Sequence, residues 1–237
     1  MEIVPGVHHV RLFGVDTFII SEPERPLTLI DAGMPWSRWP IERRIRAIGR
    51  RPHEIERVVC THGHPDHVGG IPRLLRGRSG VSVLMHPADI AGLGVGLRHA
   101  LRRTDDGVAR HHRLLDLFTR TPSGLSPIQD GDVIPVLGGL RVIHTPGHTP
   151  GSVCLYAEQH RLLFSGDVLQ VRGGRLTYAN TFFSHDFARA RATLDSLAEL
   201  DVETIALAHF PAWRKNANDA LRALATSALS GPHRPTG

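Results

Sequence analysis

Lysine is almost absent from this chain. Lys215 is the single one, and arginine supplies the rest of the 28 basic side chains against 23 acidic ones, for a net charge of +5. The arginines are scattered and form no long block of like charge, so nucleic acid is not expected as the main partner. Aromatic residues are scarce too, at 5%, which leaves a core to be built mainly from aliphatic side chains. Only two cysteines occur, Cys60 and Cys154, each inside an apolar run. That argues against a disulfide framework and fits two buried thiols in a reducing, cytoplasmic setting. No apolar run reaches the roughly 18 residues that a membrane-spanning helix needs. The first residues, MEIVPGVHHV, lack the basic-then-apolar order of a secretory leader.

What is present suits one large domain over residues 1–237, with 41% apolar and 22% charged residues. Short β-prone runs at Val7–Phe13, Thr17–Ser21 and Leu27–Ile30 predict strands, the last running into Asp31-Ala32-Gly33. Ile41, Ile45 and Ile48 space a helix over Trp39–Gly49. Arg57–Cys60 and Val81–Met85 follow as strands, with helices at Ile71–Leu75 and Pro87–Ile90. Further strands are expected at Val133–Leu137, Leu140–Ile143, Ser152–Tyr156, Leu162–Phe164 and Thr204–Ala208. Helices are expected at Phe187–Leu200 and Asn218–Ala228, with a frayed tail over Gly231–Gly237. Residues 92–124 differ in character, with six arginines and three histidines among partly helical leucines. They predict a helical insert that covers the site.

The octet Ile55–His62 aligns with Val202–His209, and each is expected to end a strand in histidine. Leu29-Ile30-Asp31 and Ser165-Gly166-Asp167 likewise each end a strand in aspartate. The pattern predicts two related halves whose strand ends meet.

The chemistry concentrates in Thr61-His62-Gly63-His64-Pro65-Asp66-His67. Three histidines and an aspartate crowd onto the loop after a buried strand, and the chain has 16 histidines in all. In extended backbone, His62 and His64 point the same way and can grip one cation. Asp66 and His67, past the turn, can face a second. Imidazole and carboxylate donors suit zinc, with manganese or iron as alternatives. Further ligands are expected from other strand ends, at His148, Asp167 and His209.

In these residues the chain resembles the metallo-β-lactamase-fold hydrolase superfamily, from about Pro5 to His209. The run His62 to His67, Asp31, His148 in Thr-Pro-Gly-His-Thr-Pro-Gly-Ser, Asp167 and His209 all fall in that family's order. The resemblance implies an α/β fold, an αββα four-layer sandwich with the metals at one edge. It implies two zinc ions: His62, His64 and His148 on the first, Asp66, His67 and His209 on the second, and Asp167 bridging them. Asp31 is then a residue that orients a ligand. The family often has Gly-His-Gly at the last ligand, whereas this chain has Ala208-His209-Phe210. With His209 turned away, the site would be mononuclear, as in the iron persulfide dioxygenases of this fold.

Two cations about 3.5–4 Å apart share a water and lower its pKa towards about 7. The expected activity is therefore hydrolysis of an ester, lactone or thioester in a small molecule, which the arginines allow to be anionic, with Asp66 relaying a proton. The alternatives are an iron-dependent sulfur dioxygenase and a phosphodiesterase or nucleic-acid-processing enzyme. Quorum-quenching lactonases have a tyrosine near the bridging aspartate, where this chain has Gln170, and Tyr178 lies further on. Arg172 and Arg175, in the glycine-rich loop after Asp167, and the arginines of the insert are candidate substrate contacts. An exposed apolar insert could also join two copies in a homodimer.

Overall fold

The structure is a computed structural model that describes residues 1–12, 14–91, 93, 125–178 and 184–230. The predicted insert, apart from residue 93, and the predicted frayed tail lie outside the described residues.

One sheet begins as an antiparallel meander of β1 (Glu2–Val4), β2 (Val7–Leu12), β3 (Val15–Ile20) and β4 (Leu27–Ile30). It continues in parallel through β5 (Ile55–Val59), β6 (Ser82–Met85) and β7 (Leu125–Pro127). The second sheet has the order β14 (Thr204–Leu207), β11 (Leu162–Gly166), β10 (Val153–Ala157), β9 (Leu140–His144), β8 (Val133–Ile134). Among the described residues its only parallel pair is β11 with β14. β12 (Leu169–Arg172) and β13 (Arg175–Tyr178) form a separate hairpin.

The period of two along each strand separates three cores. On β10, Val153, Leu155 and Ala157 face the first sheet, where they join Phe18, Ile20, Ile30 and Val59. Phe18 and Phe164 meet edge to face across this gap, with ring centroids 5.2 Å apart. Cys154 and Tyr156, which alternate with them, face outward. They pack with Leu194 and Leu197 of α6 (Leu194–Ala198) and Leu221 and Leu224 of α7 (Ala217–Ser230). On the far side of the first sheet, Ile19, Leu29 and Val58 pack on Ile41 and Ile45 of α1 (Arg38–Ala47) and Ile71 and Leu74 of α3 (Ile71–Leu74). Helix, sheet, sheet, helix is the expected αββα sandwich.

The predicted two halves also have a structural counterpart. β5 lies parallel to β4, and β14 parallel to β11. Asp31 and Asp167 follow β4 and β11, while His62 and His209 follow β5 and β14. All four residues therefore emerge at strand C-termini, where polar side chains can converge without entering a core.

Three local expectations need correction. The helix expected over Phe187–Leu200 is broken at Thr193 into α5 (Phe187–Ala192) and α6. The Thr193 hydroxyl donates to the Ala190 carbonyl at 2.8 Å, which competes with the helical ladder. The strand expected over Val133–Leu137 stops at Ile134, because Pro135 has no N–H and Leu137 takes φ 54°. The glycine-rich loop carrying Arg172 and Arg175 is the β12–β13 hairpin, with those arginines paired across a Gly173-Gly174 turn.

Candidate metal centre

The loop after β5 starts from a fixed point. Asp31 accepts hydrogen bonds from the Thr61 backbone N–H and hydroxyl, both at 2.8 Å, and its Oδ2 lies 2.8 Å from His67 Nδ1. Asp31 holds this pose at φ 59°, a left-handed conformation that aspartate tolerates better than most residues. Its carboxylate thus turns the Nε2 of His67 inward. Pro65 opens α2 (Pro65–Val68), which carries Asp66 and His67, while His64 stays extended at φ −69°, ψ 147°.

The second loop runs from Thr145 to Ser152. Thr145 N–H donates to Ser152 O at 2.8 Å, and Thr149 N–H to Ser152 Oγ at 2.9 Å. Gly147 has φ 139°, and a Cβ there would lie 2.2 Å from the Ala190 nitrogen. Glycine therefore lets α5 approach the loop that presents His148. On the open side, His209 Nδ1 lies 2.9 Å from the Gly14 carbonyl, which leaves Nε2 facing the cluster.

All seven predicted residues come together, in two groups. In the first, His62 Nε2, His64 Nδ1 and His148 Nε2 are 3.0–3.2 Å apart, and Asp167 Oδ2 lies 3.3 Å from His148 Nε2. In the second, His209 Nε2 lies 3.6 Å and His67 Nε2 3.7 Å from Asp66 Oδ2. Asp167 Oδ1 is 3.3 Å from His67 Nε2 and 3.2 Å from His209 Nε2. Asp167 Oδ2 also lies 3.2 Å from His209 Nε2, so the carboxylate sits between the two groups and touches both. His62, His67 and His148 are buried, whereas Asp66 and His209 keep 32% and 34% of their side chains exposed, so the second group forms the open side.

These donors fit cations better than they fit one another. Each converging nitrogen of the first group is either a donor or an acceptor, so among three of them at least one pair must face like against like. A central cation satisfies all three as acceptors. Tetrahedral zinc with bonds of about 2.0–2.1 Å separates its ligand atoms by about 3.3 Å, close to the spacings above. In the second group, His67 Nε2 and Asp167 Oδ1 are buried without a hydrogen-bond partner among the described residues.

The electrostatics of the protein side chains agree. Burial, reinforced by the neighbouring His67 and His64, holds His62 well below the usual imidazole range and so favours its neutral, coordinating form. Burial opposes the charge on Asp167, yet His67, His209 and His148 keep its carboxyl well below the usual range. Burial also works against His67, but Asp167, Asp66 and Asp31 push it well above its ordinary value. The second group thus lies among carboxylates that stabilise positive charge.

Sequence reasoning did not single out His185, whose ring lies parallel to that of His64 at 6.4 Å, or Asp89. The first sits in irregular chain beyond α-helical spacing. The second follows Pro87 in α4 (Pro87–Ile90) and reads only as a first-turn acid. Tyr178 ends the hairpin, where its backbone carbonyl accepts from Gln170 Nε2 at 3.1 Å.

Comparison with known proteins places this geometry in context. The sequence profile of the metallo-beta-lactamase superfamily matches residues 10–209. A probable metallo-hydrolase of Bacillus subtilis, YflN, is 27% identical over 242 residues, covering 94% of this chain and 91% of that protein. An atrochrysone carboxyl ACP thioesterase of Aspergillus fumigatus is 31% identical over 158 residues, which cover 66% of this chain but 30% of that enzyme. Among solved structures, a metallo-beta-lactamase family protein of Thermus thermophilus superposes with a TM-score of 0.70 at 20% identity, covering 96% of this chain and 81% of that one. No helix among the described residues is long and apolar enough to cross a membrane.

Proposed function

The chain belongs to the metallo-beta-lactamase superfamily, and from that premise we propose that it is a dinuclear metal-dependent hydrolase of an ester, lactone or thioester. The observation that carries this reading is the Asp167 carboxylate between the two groups, with Oδ2 3.3 Å from His148 Nε2 and Oδ1 3.3 Å from His67 Nε2. His62, His64 and His148 would hold one zinc ion and Asp66, His67 and His209 the other, with Asp167 beside both. Bound there, two divalent cations supply Lewis acidity and make water a competent nucleophile near neutral pH.

The chain's own residues do the rest. Asp31 fixes the ring of His67 and the start of the loop, so the donor set is in place before a cation arrives. Asp167 and the buried imidazoles exclude water from the inner side. Asp66 lies on the open side with Oδ2 3.6 Å from His209 Nε2, where it can receive a proton and pass it to a departing oxygen or sulfur. His209 points inward, 3.2 Å from Asp167, which supports a second cation there over a mononuclear iron centre. The name of the Aspergillus relative favours the thioester among the candidate bonds.

The test is metal analysis followed by turnover assays. Two equivalents of zinc per chain and cleavage of a carboxylic ester, lactone or thioester are expected. One iron per chain with oxygen consumption would overturn the reading in favour of a dioxygenase. Turnover of phosphodiesters alone would overturn it in favour of phosphoryl chemistry.

A further inference from the structure

Asp89 belongs to neither donor group, yet it is buried at 6% exposure beside both loops that carry the first one. Its Oδ2 accepts from the Gly63 backbone N–H at 2.7 Å and from the Thr149 hydroxyl at 2.7 Å. Its Oδ1 accepts from the Gly151 backbone N–H at 2.7 Å. Gly63 sits between His62 and His64, and Thr149 follows His148. One carboxylate on α4 thus ties together two loops that are distant in sequence, and those loops present all three imidazoles of one cluster. Three short charge-assisted bonds to one carboxylate are a strong and directional restraint.

The surrounding chain is shaped for this contact. A Cβ on Gly151 would lie 2.7 Å from the Asp89 carboxyl carbon and 2.7 Å from its Oδ1. Gly151 has no positive φ, so its backbone conformation admits alanine. The close approach of Asp89, its backbone nitrogen at 2.7 Å as well as its carboxylate, is what excludes a larger side chain there. Asparagine at position 89 offers one oxygen where three donors converge, and its amide must face a donor. The buried N–H of Gly63 or of Gly151 is then left without an acceptor.

We propose that Asp89 is a positioning residue for the His62/His64/His148 cation site, acting as a clamp between the two loops, and that Gly151 is its obligate partner. The inference rests on the metal-centre reading above. By this account the clamp sets the spacing of one cluster only. The other cluster is oriented by Asp31 and by the Gly14 carbonyl, which Asp89 does not touch among the described residues.

The experiment is titration of metal-free protein with Co(II), followed by calorimetry and by visible absorption. His148→Ala serves as the reference that reports the Asp66/His67/His209 cluster alone. Asp89→Asn and Gly151→Ala are each expected to keep the metal-free far-UV circular dichroism of the wild type. Both should bind one cobalt like the wild type and the other about 10–100-fold more weakly, the range seen when outer partners of metal ligands are removed. Agreement between the two variants matters, because they break the same contact from opposite sides. Affinities within twofold of wild type at both clusters would overturn the proposal. So would equal loss at both clusters, or loss of fold in the metal-free variants, which would make the carboxylate a folding element. A wild type that binds no cobalt would instead overturn the metal reading itself.

Discussion

His62 Nε2 and His148 Nε2 lie 3.2 Å apart although 86 residues separate them in the chain. The two sheets bring them together, since Val153 at the start of β10 donates to the Thr61 carbonyl at 2.8 Å. The site is therefore a joint between the halves of the sandwich, and changes to either half should be felt in both.

Removing the cations should soften this joint. Ligand binding to the folded state at a hundredfold excess over Kd adds about 2.7 kcal/mol per site. Dialysis against a chelator is expected to lower the melting temperature by several degrees, with zinc restoring it. A melting temperature indifferent to chelator and zinc would refute a cation-linked fold.

Asp31→Asn tests the second cluster. Asparagine tolerates the left-handed backbone at φ 59°, so the change removes the charge without forcing the loop. Metal affinity at the cluster containing His67 is expected to fall about 10–100-fold. Calorimetric titration that matches the wild type would contradict the role given to this carboxylate.

Asp66→Asn separates proton relay from structure. Its amide oxygen still faces His67 and His209, and the side chain is partly exposed, so the fold should be unchanged. Turnover is expected to drop by about a hundredfold, the low end of what a positioned acid or base contributes. Full metal content together with full activity would sink the relay.

The buried thiols predict a limit on alkaline stability. Burial raises Cys154 from its ordinary 9.0 to about 12 in the folded chain. Between those values the unfolded chain has released the proton and the folded chain has kept it. Stability is thus fully present below pH 9.0 and falls as pH rises towards about 12, by roughly 1.4 kcal/mol per pH unit for one group. Cys154→Ala should show a shallower loss over that window in urea unfolding. Parallel slopes for variant and wild type would count against the burial argument.

Phe164 reports on the join between the sheets. It is fully buried and meets Phe18 edge to face. Phe164→Ala is expected to cost about 3–5 kcal/mol, whereas Val133→Ser, at a 62% exposed position, should stay within about 0.5 kcal/mol. Similar unfolding midpoints for the two variants would show that the inter-sheet core is not where stability lies.

Much of the site was legible because its residues are chemically conspicuous. Histidines packed at alternate positions after an apolar run, and acids or histidines ending other apolar runs, mark strand ends that share an edge. The strands themselves follow from alternation, as in Val153, Leu155 and Ala157 against Cys154 and Tyr156. The octet match between Ile55–His62 and Val202–His209 anticipated two related halves whose strand ends meet, and the structure pairs β5 with β4 and β14 with β11, both in parallel. What failed was local. Thr193 breaks a helix through a hydroxyl bond to a nearby carbonyl, and a hydrophobic pattern carries no trace of that bond.

By itself, then, the sequence determined most strands and helices, the seven polar residues and their assignment to strand ends, because periodicity and residue type act locally, while the layering was what the family resemblance implied. Tertiary structure alone decided which atoms face which. It turned His209 inward through the Gly14 carbonyl, set the Asp167 carboxylate between two groups, and recruited Asp89 to hold together the loops of His62 and His148, 86 residues apart. Those outcomes depend on directional bonds between distant segments, whose geometry exists only once both sheets have packed.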